Sequence, residues 1–93
     1  MNDTQFQTEE QLLDVTKIQE PAKAVLFNDE VHTFDEVIEQ IIKATGCDRP
    51  TAEGLTLEVH HTGKAIVFTG ELVKCLQVTS ILEEIELMTH VEV

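Results

Sequence analysis

The chain has 93 residues, enough for one domain and too few for two. Its formal net charge is −12, and its six lysines and arginines form no cluster, which argues against a nucleic-acid partner because phosphate backbones are bound by Lys and Arg. No apolar run is long enough to span a membrane and the N-terminus lacks the basic-then-apolar order of a secretion signal, so a cytoplasmic protein is expected.

Residues 1–20 carry scattered apolar residues and five acids against one lysine. We read residues 1–21 as a flexible acidic arm and 22–93 as the compact domain. Residues 23–28 (KAVLFN) are a short apolar run without helical periodicity, which predicts a buried strand. Asn28-Asp29 then favours a turn. Thr33 and Glu36 have the spacing of a capping box, and Phe34, Val37, Ile38, Ile41 and Ile42 follow on one helical stripe. A helix is predicted over 34–45, stopped by Gly46.

Asp48 caps the next predicted helix, with Pro50 tolerated in its first turn. Ala52, Leu55 and Val59 form its apolar stripe, and Gly63 ends it. Residues 64–68 (KAIVF) predict a second strand. A third helix is expected to start at Thr69 or Gly70, with Leu72, Cys75, Val78, Leu82 and Ile85 on one face. Leu87–Val93 alternates apolar and polar residues, as a strand with one wet face does. The order β-α-α-β-α-β predicts an α+β two-layer sandwich, a three-stranded antiparallel sheet with three helices on one face.

The sequence carries no nucleophile elbow, no phosphate-binding glycine loop and no dinucleotide fingerprint, so an enzyme is not expected. Cys47 and Cys75 fit no metal or redox motif and read as buried or half-buried thiols. His32, His60 and Glu30 can converge in three dimensions, but their spacing matches no zinc motif. No metal and no other cofactor is expected. The loop Asn28-Asp29-Glu30 gathers a carboxamide and two carboxylates at a strand-to-helix junction. Such a cluster suits a cationic donor such as an ammonium group. The same residues also suit a plain Asx-type turn.

Three blocks together carry a family resemblance. Phe27-Asn28-Asp29-Glu30 opens a capped helix. Val59-His60-His61-Thr62-Gly63-Lys64-Ala65-Ile66 follows, and then Phe68-Thr69 with Glu71. In order and spacing, over residues 22–86, they resemble the ClpS adaptor family. The resemblance implies an adaptor that binds proteins through a bulky apolar first residue and delivers them to a Clp-type AAA+ unfoldase (ClpA- or ClpC-like) and its protease. It implies that the substrate N-terminus is held by Asn28, Asp29, Glu30, His32 and His60. Phe34, Val37, Thr56 and Val59 would wall the side-chain pocket, and Glu71 would face the unfoldase. The arm would take part in delivery, and the adaptor would act as a monomer. A histidine that accepts a hydrogen bond must be neutral, so this role for His60 implies weaker binding in acid.

The chain departs from the family pattern where Glu30 replaces Asp and where His32-Thr33-Phe34 replaces Thr-Pro-Met. Phe34 is expected to fill part of the slot, and Gln40 and Thr56 to replace apolar pocket residues. Two residues are missing between Ile66 and Val67, and Leu76 stands where a basic residue is usual. The other reading kept open by these changes is a protein-interaction module of the same fold with an altered or lost ligand.

Overall fold

The computed structural model describes residues 21–93, so the arm predicted over 1–21 lies, except for Pro21, outside the described residues. Strand β1 (Ala22–Phe27) is followed by helices α1 (Phe34–Thr45) and α2 (Arg49–Thr62). Strand β2 (Lys64–Gly70), helix α3 (Leu72–Leu82), a 3-10 turn (Glu83–Ile85) and strand β3 (Thr89–Glu92) complete the domain. The sheet order is β2-β1-β3, with both pairings antiparallel. The predicted α+β architecture is the one observed.

The first strand lies at the centre because it has the least polar sequence. Ala22, Ala24 and Leu26 point to the helices and join Ile38, Ile41, Ala52, Val59, Val78 and Leu82 in one core. Leu26, Ile41 and Leu82 are fully buried, each worth about 1.5–3 kcal/mol against exposure. Val25 is also buried but lies outside that cluster, as the period-2 alternation of a strand requires.

The helix ends follow the local chemistry. The Thr33 hydroxyl accepts from the Glu36 N–H at 3.1 Å, and the Glu36 carboxylate accepts from the Thr33 N–H at 2.8 Å. This is the capping box read from the sequence. Asp48 caps α2 by accepting from the Thr51 N–H at 3.0 Å. Gly46 and Gly63 close α1 and α2 with φ of 75° and 94°, in the left-handed region that a Cβ disfavours.

Three boundaries differ from expectation. Strand β2 continues through Thr69 and Gly70, which pair with Lys23 and Ala22, so Glu71 becomes the cap residue of α3. Ile85 packs against the core from the 3-10 turn rather than from the helix. Leu87 is buried ahead of β3, which begins at Thr89. Opposite Ala24 and Val25, β2 presents Phe68 and then Ile66, leaving Val67 as an extra residue in a β-bulge.

Gln40 is not a pocket residue. It is buried on α1, and its amide donates to the Ile81 carbonyl at 2.6 Å and to Glu84 at 3.4 Å. Lys43 joins the same carboxylate at 2.8 Å. Together these bonds tie α1 to the end of α3. Arg49 binds Glu39 at 2.6 Å and Glu53 at 3.3 Å on exposed surfaces, where such pairs contribute little. Among the described residues no helix is long and apolar enough to cross a membrane.

Two substitutions test this frame. Thr33→Ala removes one half of the capping box, and urea denaturation should show a loss of about 1 kcal/mol. Gln40→Leu keeps bulk but removes the amide donor to the Ile81 carbonyl; the same measurement should show a loss of about 1–2 kcal/mol. An unchanged midpoint for Gln40→Leu would mean that this amide does not tie the two helices.

Candidate functional site: a cleft at the end of the central strand

Where β1 ends, its backbone is held from both sides. The Phe27 N–H donates to the Met88 carbonyl at 3.0 Å, and the Asn28 N–H donates to the Gly63 carbonyl at 2.9 Å. The chain then leaves the sheet, turns through Asp29–His32 and enters α1. A cleft of about 180 Å³ lies between this turn, the start of α1 and the second half of α2. Its closed side is made by Leu26, Thr56, Val59 and Leu87, all buried. Its open side is lined by Asn28, Glu30, Phe34 and His60, all exposed, with Val37 half-buried between.

Every predicted residue of the N-terminus site and of the side-chain pocket lines this one cleft. Within the set, two residues turn towards each other. One oxygen of Asp29 accepts from the backbone N–H groups of Val31 and His32, both at 3.0 Å. The other lies 2.6 Å from His32 Nδ1. His32 Nε2 lies 2.6 Å from the Ile85 carbonyl oxygen, 53 residues further along the chain.

These contacts favour the imidazolium form of His32. A carbonyl oxygen only accepts, so Nε2 must carry a proton to bond Ile85. An ionised carboxylate also only accepts, so Nδ1 must carry one to bond Asp29. The bond to Asp29 raises the His32 pKa above the ordinary histidine value; partial burial opposes this, and the Ile85 carbonyl adds to the rise. For Asp29, partial burial pushes the carboxyl up. The hydrogen bonds from the His32 backbone and ring and from Val31 outweigh it and hold the pKa below the ordinary value. Asp29 thus makes the Asx-type turn that the sequence also allowed.

The side chains of Asn28, Glu30 and His60 take no part in the loop's own hydrogen bonding. The His60 ring stands edge-on to Phe34, with centroids 5.2 Å apart and planes at 72°. Phe34 is 42% exposed, so it borders the opening rather than plugging it. Thr56 turns its hydroxyl proton to the Ala52 carbonyl at 2.8 Å, which satisfies a polar group on an otherwise apolar closed side. Among the described residues no three His, Cys, Asp or Glu side chains gather as a metal-holding group. Cys47 and Cys75 are free thiols, half-buried and buried.

Sequence reading missed Leu26, Phe27 and Leu87 as lining residues, and it missed the Ile85 carbonyl. The first two precede the loop directly and are signalled by adjacency. Leu87 and Ile85 come from the far end of the chain, and nothing local marks them.

Glu71 lies elsewhere. Gly70, next to it, pairs with Ala22 at the start of β1, whereas the cleft opens beyond Phe27 at the other end. Six residues of strand separate the two ends, about 20 Å of extended chain. The Glu71 side chain is exposed and makes no cap bond to α3.

Comparison with known proteins agrees with this architecture. The ClpS adapter of Campylobacter jejuni (serotype O:23/36, strain 81-176) is 38% identical over 66 residues, 67% of this chain and 69% of that protein. The human E3 ubiquitin-protein ligase UBR2 is 38% identical over 58 residues; the match covers 62% of this chain but only 3% of the ligase's length. The solved structure of Agrobacterium tumefaciens ClpS2 bound to L-phenylalaninamide superposes with a TM-score of 0.68 at 20% identity, covering 78% of this chain and 95% of that one. The family model for the ATP-dependent Clp protease adaptor protein ClpS matches residues 17–90, and the chain therefore belongs to the ClpS family.

Proposed function

We propose that this protein binds the first residue of substrate proteins in its cleft and delivers them to a Clp-type AAA+ unfoldase. The observation that carries the reading is the pairing of an apolar closed side with exposed acceptors at the opening that make no side-chain hydrogen bond among the described residues. A free α-amino group, with a pKa of about 8, is charged at neutral pH. It needs charge-assisted acceptors when it leaves bulk water. Asn28 Oδ1, the Glu30 carboxylate and a neutral His60 would take its three protons. The first side chain would pass Phe34 and His60 and lie against Leu26, Val37, Thr56 and Val59. Asp29 and His32 would serve by shaping the loop. That the ClpS2 neighbour was solved with L-phenylalaninamide supports this reading, since that ligand offers an amino group and an apolar side chain.

Delivery needs a second surface. Glu71 follows Gly70, which pairs with Ala22 at the sheet end opposite the cleft. We assign unfoldase contact to that end, with the acidic arm as a delivery element. Cargo and machine would then bind without competing for space. Binding and handing over need no catalytic group and no cofactor. An adaptor of an ATP-driven machine would act in the cytoplasm, as a monomer with one cleft.

A titration with labelled peptides beginning with Leu, Phe, Tyr or Trp tests the cargo reading. N-acetylation removes the charge and two of the three N–H donors, so affinity should fall by at least roughly tenfold, about 1.5 kcal/mol or more. Asn28→Ala and His60→Ala should each weaken the free peptide while leaving the acetylated one nearly unchanged. Equal binding of free and acetylated peptides would instead favour a protein-interaction module with a different ligand.

A further inference from the structure

Between Asn28 and Thr33 the loop has few holds on the rest of the domain. Its backbone bonds to Gly63 and Met88 end at Asn28, and the capping box begins at Thr33. Within the gap Glu30 and Val31 are exposed, Val31 to 82%. Among the described residues, the hydrogen bonds inside the gap run to the Asp29 carboxylate or from the His32 ring. Among them, His32 is the link from this segment across to the Ile85 turn, which leads into the cleft's Leu87 wall. The His32 side chain is only 14% exposed and that of Asp29 21%, so water is a poor substitute partner for either.

We propose that His32 is a positioning residue for the cleft: as an imidazolium it latches the Asn28–Glu30 loop to the turn after α3, and affinity for an N-terminal residue falls as this ring loses its proton. The proposal rests on the cleft being an amino-terminus site and adds its regulation. The chemistry follows from the two contacts. A neutral ring keeps one proton for two acceptors, so a bare nitrogen lone pair must face either the Asp29 carboxylate or the Ile85 carbonyl. Either choice turns one 2.6 Å bond into a repulsion. The loop then loosens, and the acceptors that a ligand needs are no longer held in place.

The charged groups around the ring favour its protonated form. Asp29 faces Nδ1, and Glu36 acts from the first turn of α1. On the 3-10 turn, Glu84 is engaged by Lys43 and Gln40, and Glu83 by Thr89. Glu30 and His60 share the cleft. The sign is fixed by the direction of the shift. With its pKa raised in the folded state, His32 contributes fully below about pH 6.5, and the contribution is lost as pH climbs through the raised value. Asp29, with its pKa lowered, stays ionised across that range.

The test compares the full chain with His32→Gln from pH 5.5 to 9, measuring Kd for a labelled peptide that begins with Phe. Every other group, including the peptide's amino group, is the same in both measurements, so the ratio of the two Kd values isolates His32. The variant should bind about tenfold more weakly at pH 6, with the ratio closing to within about twofold by pH 9. A ratio that stays constant across the range marks a merely structural role and overturns the proposal, as does a ratio of one at pH 6. NMR of the wild-type protein without ligand gives an independent readout. Both His32 ring nitrogens should be protonated at pH 6, and the Ile85 carbonyl resonance should shift with the same midpoint as the ring. A ring that titrates without any response at Ile85 overturns the latch even if His32→Gln fails to fold. If the wild type binds no peptide at any pH, the N-terminus reading fails and takes the affinity claim with it, while the NMR titration still decides whether the latch exists.

Discussion

The domain depends on one constraint: the backbone of β1 must be hydrogen-bonded on both sides. A buried strand leaves no N–H or carbonyl to water, so each needs a protein partner. Strands β2 and β3 supply them along the strand, and single bonds from Phe27 and Asn28 finish the task at its end. Those last two bonds fix where the chain leaves the sheet. The position of the acidic turn, and so of the cleft, follows from the pairing of the central strand.

Much of this was legible in the sequence because the signals are local. The capping box at Thr33 and Glu36, the glycines at 46 and 63 and the stripe of α1 each express a short-range preference, and the tertiary structure agrees with all of them. The cleft residues were legible as a set through the family resemblance, and in the structure the bond from the Asn28 N–H to the Gly63 carbonyl holds the loop beside the end of α2. The sequence was less informative where a residue's role depends on a distant partner. Gln40 is polar on an apolar stripe, and its use appears only once Ile81 is beside it. The family resemblance places His32 among the residues that hold the substrate N-terminus, and its contact with the Ile85 carbonyl has no signature in any sequence. Thr69 and Gly70 looked like a helix start because nothing local reveals that Lys23 and Ala22 lie alongside them.

The acidity of the chain also divides by place. Asp29 is neutralised by its own neighbour, and Glu84 by Lys43. Asp35, Glu39 and Glu53 gather around Arg49. Glu30 and Glu71 are exposed, at opposite ends of the sheet. A composition strongly biased to one sign therefore leaves exposed charge at both ends of the sheet.

The placement of β1 between two antiparallel neighbours has a mechanical consequence. A force applied to the chain before Pro21 and directed along the strand axis loads β1 in shear. The hydrogen bonds to β2 and β3 run across that axis, so they share the load rather than opening one after another. The tension is carried into the sheet at the Ala22–Gly70 end, while the cleft sits beyond Phe27 at the unloaded end. A pull along that axis is resisted in shear, and the cleft lies at the end of the sheet away from the load.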